Sequence, residues 1–502
     1  MGICSIQPAK FLLKALSLAA LLTGSVQGVM AQAPGLVWQA PIQVANGSVY
    51  DNIRPQIAVT SGNVPLVLWC KSTGGKNGYV ARWNGSAFDT PFKINPSGSI
   101  NSYTVEGPNI AAKGDTIFIA YTTYPPSSAQ VMVRSSFDAG LNWSNPIWVD
   151  SLNPDMPTFG NVAILPGGNP IVNYIRQTTA YLSPRWVARA SSDGGMTWAP
   201  EAVSSAAAPG TDVCDCCTGH LYSHQGKVIS VFRNNDANLR DFWATVSTDG
   251  GQTFGTAIDL DTTDWTLAAC PSSGAGSAIV GDSIYSVFMS QGTDALARVW
   301  IGAASLNGST TAYNLRLNGN VAQGTIQNYP VIAASGDTIV AAWMESTSSN
   351  PEIMLRYSFH GIAGLFANPV VNVTEMAAGV QSFPDLKWAN GELHLVWQDD
   401  AANQVRYRKA TVGIPAGNHA QIPLGWRVFP NPTNGRLSLG DLPAAGGELL
   451  VLNANGQLVF RRSLLDGRPI ELDLSALPAG TYFLKLRSTG MDLGTRRISK
   501  VD

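Results

Sequence analysis

The stretch GPNIAAKGDTIFIAYTT, Gly107–Thr123, decides the fold. It reads as two short strands. Asn109–Lys113 mixes polar and apolar residues, Gly114-Asp115 supplies a tight turn, and Thr116–Thr123 is an apolar run rich in β-branched and aromatic side chains. A lone hairpin cannot bury enough surface to persist in water, so it needs companions. The chain supplies them. RPQIAVTSGNVPLVLWC starts at Arg54, FGNVAILPGGNPIVNYIR at Phe159 and TGHLYSHQGKVISVFRN at Thr218. CPSSGAGSAIVGDSIYSVFMS starts at Cys270, YPVIAASGDTIVAAWME at Tyr329 and FPDLKWANGELHLVWQDD at Phe383. Successive copies begin 52 to 59 residues apart, which leaves room for a third and a fourth strand after each hairpin. A unit of roughly 50 residues with four strands is the size of a propeller blade.

The copies also predict how the ring closes. The seventh has a third strand, NQVRYRKA (Asn403–Ala410), but no fourth after it. Near the N-terminus VWQAPIQV (Val37–Val44) looks like the fourth strand NWSNPIWV (Asn142–Val149). If the first segment fills the gap in the last blade, no sheet edge is left open. The expectation is an all-β chain: a seven-bladed β-propeller over residues 32–412, then a small C-terminal β-sandwich.

The bulk numbers agree. A chain of 502 residues exceeds one ordinary core, so more than one domain is expected. Net charge is −2 with no basic block, which argues against nucleic acid as a partner. Charged residues are 13%, well under the ~25% of typical soluble chains, while Gly reaches 50 and Trp 14, a composition suited to many short strands and turns. Residues 1–31 read as a signal peptide: Lys10 and Lys14, the apolar core ALSLAALLTG, then Val29 and Ala31 as a small-residue cleavage site. No later run of ~18 apolar residues predicts a transmembrane span in the mature chain. Cys4 leaves with the signal, so five cysteines remain: Cys70, Cys214, Cys216, Cys217 and Cys270.

Three loops between third and fourth strands share a form. They are SFDAGLNW (Ser136–Trp143), SSDGGMTW (Ser191–Trp198) and STDGGQTF (Ser247–Phe254). The aspartate can accept backbone N–H bonds within the turn, and the glycine supplies a positive φ. This pattern resembles the Asp-box, or bacterial neuraminidase repeat, of sialidase-like propellers. The resemblance implies that Asp138, Asp193 and Asp249 are structural and lie opposite the ligand face. After the Gly/Pro linker GIPAGNHAQIP (residues 413–423), the series Pro430-Asn431-Pro432, Asn453-Ala454-Asn455-Gly456 and Leu477-Pro478-Ala479-Gly480-Thr481-Tyr482 resembles the type IX secretion C-terminal sorting domain of Bacteroidota, over 424–502. That resemblance implies handling by the type IX machinery and a secreted or cell-surface location.

In a propeller, first strands line the axis, and their starts share a face with the ends of second strands. Placed by repeat position, all five cysteines map to this face. Three readings stay open for TDVCDCCTGH (Thr211–His220): disulfides, including a Cys217–Cys270 or a vicinal Cys216–Cys217 bond; a soft-metal site of thiolates with His220 or His224; or a reactive thiol left by the odd count. In each, Cys70, Arg176, Cys214, Cys216, Cys217, His220 and Cys270 shape a ligand pocket. Asp259, Asp261 and Asp264 offer oxygens for Ca²⁺.

The sialidase resemblance implies an arginine clamp, a tyrosine nucleophile and its carboxylate. Arg54 opens the first copy, where the family has an Arg-Ile-Pro arginine, although the order here is Arg-Pro. Arg233 ends a second strand on the same face, Tyr329 begins a first strand and Glu345 ends the next. The fourth copy offers TGHLYSH where the family has a glutamate, and the fifth PSSGAG where a third clamp arginine belongs. The leading expectation is therefore a propeller that binds an extracellular glycan or glycoprotein through its axial face. The alternatives are a sialidase-like exo-glycoside hydrolase and a subunit of a surface assembly.

Overall fold

The structure, a computed structural model, describes residues 35–45, 52–72, 76–103, 105–150, 155–292, 294, 296–308, 313–346, 350–374, 379–413, 426–440, 442, 447–464, 470–488 and 491–501. The expected signal peptide, with Cys4, and residues 414–423 of the expected linker lie outside them. Among the described residues nearly all regular structure is strand; the one α-helix is Gly361–Leu365.

From Gly35 to Gly413 the strands form seven antiparallel sheets of four or five strands. Each holds one copy of the repeat, whose hairpin supplies two adjacent inner strands. The second strand of a copy lies mid-sheet with both faces covered, so it reads as a continuous apolar run. In Pro65–Lys71 every residue but the last is buried.

The sheets pack face to face in a circuit. Leu66, Leu68 and Val80 of the first meet Ile110, Ile117 and Ile119 of the second. Equivalent cores lie between each later pair of neighbours. A last core joins Val396, Val405 and Tyr407 of the seventh sheet to Ile57, Val67 and Trp69 of the first. The seventh sheet takes its outer strand from the N-terminal segment. Gly35–Trp38 and Ile42–Ala45 both pair antiparallel with Gln404–Gly413.

The inner edges are sealed by side chains. On five of the seven first strands a polar side chain accepts an N–H from the next sheet's first strand. Asp385 Oδ2 accepts from Ile57 at 2.8 Å, and Gln56 Oε1 from Ile110 at 3.2 Å. Asn109 accepts from Val162 at 3.5 Å, Asn161 from Leu221 at 3.4 Å and the Tyr222 hydroxyl from Ser277 at 2.9 Å. These bonds use backbone donors that open sheet edges would leave unpaired. At Gly276 the approach is backbone to backbone, since a Cβ there would lie 3.0 Å from Val331 Cα.

Four first strands carry a bulge at the same repeat position. Arg54, Phe159, Tyr329 and Phe383 have φ of 52°, 59°, 51° and 48°, each at a register shift against the second strand. Left-handed backbone is costly for such side chains and re-aims them out of the sheet.

The C-terminal residues form two further sheets, one of three strands and one of four. They share a core in which Trp426, Leu437, Leu439 and Leu472 meet Leu449, Val451, Leu484 and Ile498. The Asn-Ala-Asn-Gly turn is tied by Asn453 Oδ1, which accepts from the N–H groups of Asn455 and Gln457, both at 3.0 Å.

Candidate axial site

The three aspartate loops close on themselves. Asp193 accepts from the backbone of Met196 and Thr197 at 3.0 and 2.9 Å, and from the hydroxyls of Ser191 and Thr197 at 2.8 and 2.6 Å. Asp249 repeats the set with Ser247, Gln252 and Thr253, and Asp138 with Ser136 and Asn142. These bonds favour the carboxylate and hold Asp138 and Asp193 down at about 2 and Asp249 lower still. The oxygens serve the turn.

The opening at the axis is a cavity of about 520 Å³, lined by first-strand residues or the residues leading into them from all seven sheets. Arg54, His220 and Tyr329 line it; Arg176, Arg233, Glu345 and the five cysteines do not. Three of the four bulged residues, Arg54, Tyr329 and Phe383, line it. Tyr329 stacks on Phe383 with ring centroids 3.9 Å apart, and the Arg54 guanidinium lies 5.5 Å from the Phe383 ring centre. Burial pushes the Tyr329 hydroxyl up, against the pull of Arg54. Burial lowers Arg54, while Cys70, Tyr329, Glu106 and Asp385 oppose that. His220 faces Asn161 at 3.2 Å, and burial, then Lys387 and Arg54, lower it to about 4, so the ring is neutral at pH 7.

Sequence reasoning passed over Phe383, which lines the cavity, and Glu106, which does not line it but acts on Arg54. Phe383 occupies the same repeat column as Arg54 and Tyr329, which is the signal that could have found it. Glu106 precedes the second copy and is 6% exposed, and burial raises its carboxyl. It accepts from the Phe159 N–H at 2.8 Å and Asn101 at 3.4 Å.

Other expected residues have different employment. Arg233 is fully buried and donates to the carbonyls of Arg240 and Met289, both at 2.6 Å, and of Ser273 at 3.4 Å. Its guanidinium lies 4.0 Å from the Phe242 ring centre. It ties the fourth sheet to the fifth and has no free fork for a sugar carboxylate. Arg176 pairs with Glu201 beside Tyr174. Glu345 accepts from Trp343 Nε1, Gln327 Nε2 and Asn318 Nδ2 at 3.0, 2.8 and 3.0 Å. Those donors, and no described bond to Tyr329, occupy the carboxylate, which corrects its expected role as the tyrosine's activator.

The cysteines also differ from expectation. The disulfide is Cys216–Cys270, with Cα atoms 6.2 Å apart, in place of a Cys217–Cys270 or vicinal bond. Cys217 turns inward instead, its sulfur 2.9 Å from that of Cys214. Cys70 is buried between the first two sheets, and burial raises it to about 11. The sulfurs of Cys214, Cys216 and Cys217 lie within 4.8 Å of one another, but the disulfide leaves only two thiols for a soft metal.

The acidic loop is inward too. Asp261 is fully buried and accepts from Thr263 N and Oγ1 at 2.9 and 2.6 Å, while Asp259 accepts from the Asp261 N–H at 2.9 Å. Asp241 faces this loop, because Arg240 N bonds Trp265 O and Leu260 N bonds Phe242 O on either side, both at 2.9 Å. Burial first, then Asp261, Asp259 and Asp264, push Asp241 up to about 8.

Residues 427–499 match the family model described as the secretion system C-terminal sorting domain. The domain marks the chain for export by the type IX secretion system to the cell surface or extracellular space. No curated protein matches the chain at a significant level. Among solved structures, the chain is similar to a Trypanosoma rangeli sialidase in complex with the inhibitor DANA, at 13% identity over 92% of this chain and 89% of that one, TM-score 0.41. It is similar to a GH93 α-L-arabinofuranosidase of Fusarium graminearum with arabinobiose, at 13% identity over 75% and 98%, TM-score 0.44. A protein of unknown function from Dyadobacter fermentans DSM 18053 is similar at 10% identity over 76% and 100%, TM-score 0.46. At these identities and scores, what the site does has to be read from its own residues.

Proposed function

We propose that the mature chain is a seven-bladed β-propeller, residues 32–412, followed by a linker (413–423) and a β-sandwich sorting domain (424–502), the signal peptide (1–31) having been removed. The propeller binds an extracellular glycan or glycoprotein through its axial mouth. The observation that carries this reading is the Arg54–Tyr329–Phe383 group at the rim of a cavity of about 520 Å³. Aromatic faces suit the C–H faces of a sugar ring, and a guanidinium suits a carboxylate or hydroxyl pair. Binding without turnover fits the employment of Arg233 and Glu345, both of which serve the fold. A sialidase-like exo-glycoside hydrolase is the second reading, favoured by one observation: Tyr329 and Arg54 interact at the cavity, with the buried Glu106 carboxyl beside Arg54.

A glycan array probed with the purified full chain tests the first reading. Acidic glycans should bind, and Arg54→Gln should lower affinity at least tenfold. A fluorogenic sialoside tests the second. Turnover lost in Tyr329→Phe supports hydrolysis, whereas binding with no turnover supports the first; neither binding nor turnover refutes both.

A further inference from the structure

The seam between the fourth and fifth sheets gathers four of the cysteines into two unequal pairs. Cys216 and Cys270 are bonded, with Cys270 exposed and Cys216 half-buried. Cys214 and Cys217 are buried thiols whose sulfurs touch at 2.9 Å. The Cys214 sulfur is also 3.5 Å from Cys216, one member of the disulfide. A thiol in contact with both a disulfide sulfur and a second thiol is the arrangement that thiol–disulfide exchange requires.

We propose that Cys214, Cys216, Cys217 and Cys270 form an internal exchange unit, in which one disulfide passes between the surface pair Cys216–Cys270 and the buried pair Cys214–Cys217. This rests on the sulfur geometry and is independent of any glycan reading. In the first step the Cys214 thiolate attacks Cys216 Sγ. The Cys214–Cys216 bond forms, the Cys216–Cys270 bond breaks, and Cys270 leaves as a thiolate that takes up the proton Cys214 gave up. In the second step the Cys217 thiolate attacks Cys214 Sγ. The Cys214–Cys217 bond forms, and Cys216 leaves and takes the Cys217 proton. One disulfide and two thiols stand on each side, so no outside oxidant or reductant is consumed.

The surroundings suit this order of events. Hydrogen bonding with Cys217, aided by Arg233, the Cys216 N–H and Arg240, pulls Cys214 down, whereas burial pushes Cys217 up. Cys214, the thiol in contact with Cys216, is the one placed to attack. The position of the bond matters to the cavity. Cys217 runs directly into Thr218 and His220, and Cys270 leads into Ser272 and Ser273, all of which line the cavity. With the bond at Cys216–Cys270 the two wall segments are tied covalently; with it at Cys214–Cys217 that tie is gone, and the seam is held by Arg233 and the Tyr222–Ser277 bond.

The test uses the full chain, equilibrated without added thiol at pH 5 and pH 8, quenched in acid, labelled with N-ethylmaleimide at low pH and mapped by fragmentation of non-reduced peptides. Exchange predicts two labelled populations at pH 8, one on Cys214 and Cys217 and one on Cys216 and Cys270, reached at least tenfold more slowly at pH 5. In Cys217→Ser the reaction should stop at Cys214–Cys216, with Cys270 becoming labelled. Label confined to Cys214 and Cys217 at both pH values overturns the proposal, as does a chain with both pairs closed and unlabelled, or one that retains a metal ion on these sulfurs. The wild-type map decides the matter even where the variant does not fold.

Discussion

Replacing Arg233 with methionine separates a structural arginine from a substrate clamp. The guanidinium is fully buried and donates to three carbonyls, those of Ser273, Arg240 and Met289. Met289 lies in the fifth sheet and Ser273 in the segment leading into it, so the side chain on the fourth works as a cross-tie. Methionine fills much of the volume between Phe242 and Trp265 but donates nothing. Each carbonyl left without a donor costs about 1–3 kcal/mol. The variant no longer has to bury a guanidinium, which returns part of that sum, so the net loss should be about 3–5 kcal/mol. Set against a total of about 5–15 kcal/mol for a folded protein, that is a large fraction. Urea unfolding followed by tryptophan fluorescence should show the midpoint fall sharply, with Arg233→Lys, which keeps one donor group, in between. If Arg233→Met unfolds at the wild-type midpoint and only ligand binding suffers, the bonds to the carbonyls are not what holds this seam, and the arginine is a clamp after all.

Asp241 should make the fold less stable as pH rises. Below about pH 4 the aspartate is protonated in both folded and unfolded chains; toward pH 8 the unfolded chain ionises while the folded one, with its carboxyl raised to about 8, still holds the proton. His220 and His394, lowered to about 4, act in the opposite direction between pH 4 and 6.5, and the lowered Cys214 thiol does so above that, so the melting temperature over pH 6.5–8 should be read as the difference between wild type and variant. Asp241→Asn should flatten the decline there, and identical slopes for both chains would reject the assignment. Deleting residues 35–45 removes both N-terminal segments that pair with Gln404–Gly413 and should leave the seventh sheet with an open edge, read as aggregation in light scattering; a monomeric, normally folded deletion would show that the outer strand is dispensable. Gly251→Ala should cost about 1–3 kcal/mol, since φ is 91° and a Cβ would lie 2.3 Å from Ile171 Cδ1 of the preceding sheet; an unchanged urea midpoint would mean the loop yields freely.

The sequence alone determined whatever is written in contiguous residues. The hairpin of Gly107–Thr123 and its repeats, the likeness of Val37–Val44 to a fourth strand, the aspartate turns and the sorting tail are local patterns, and local backbone chemistry is enough to read them. Arg54 and Tyr329 were singled out by the sialidase resemblance, and Phe383, which shares their repeat column, was equally legible. Tertiary structure decided the rest. Whether Cys216 or Cys217 reaches Cys270 depends on which way a three-residue loop turns its sulfurs at the seam. Whether Arg233 clamps a ligand or a backbone depends on carbonyls 40 and 56 residues away, one in the segment leading into the next sheet and one within it. Glu106 and Asp241 acquire their unusual carboxyls from burial that no local pattern announces. A side chain's type is a property of its position in the chain, but its free partners are set by the neighbouring sheet, and those appear only when the sheets have packed.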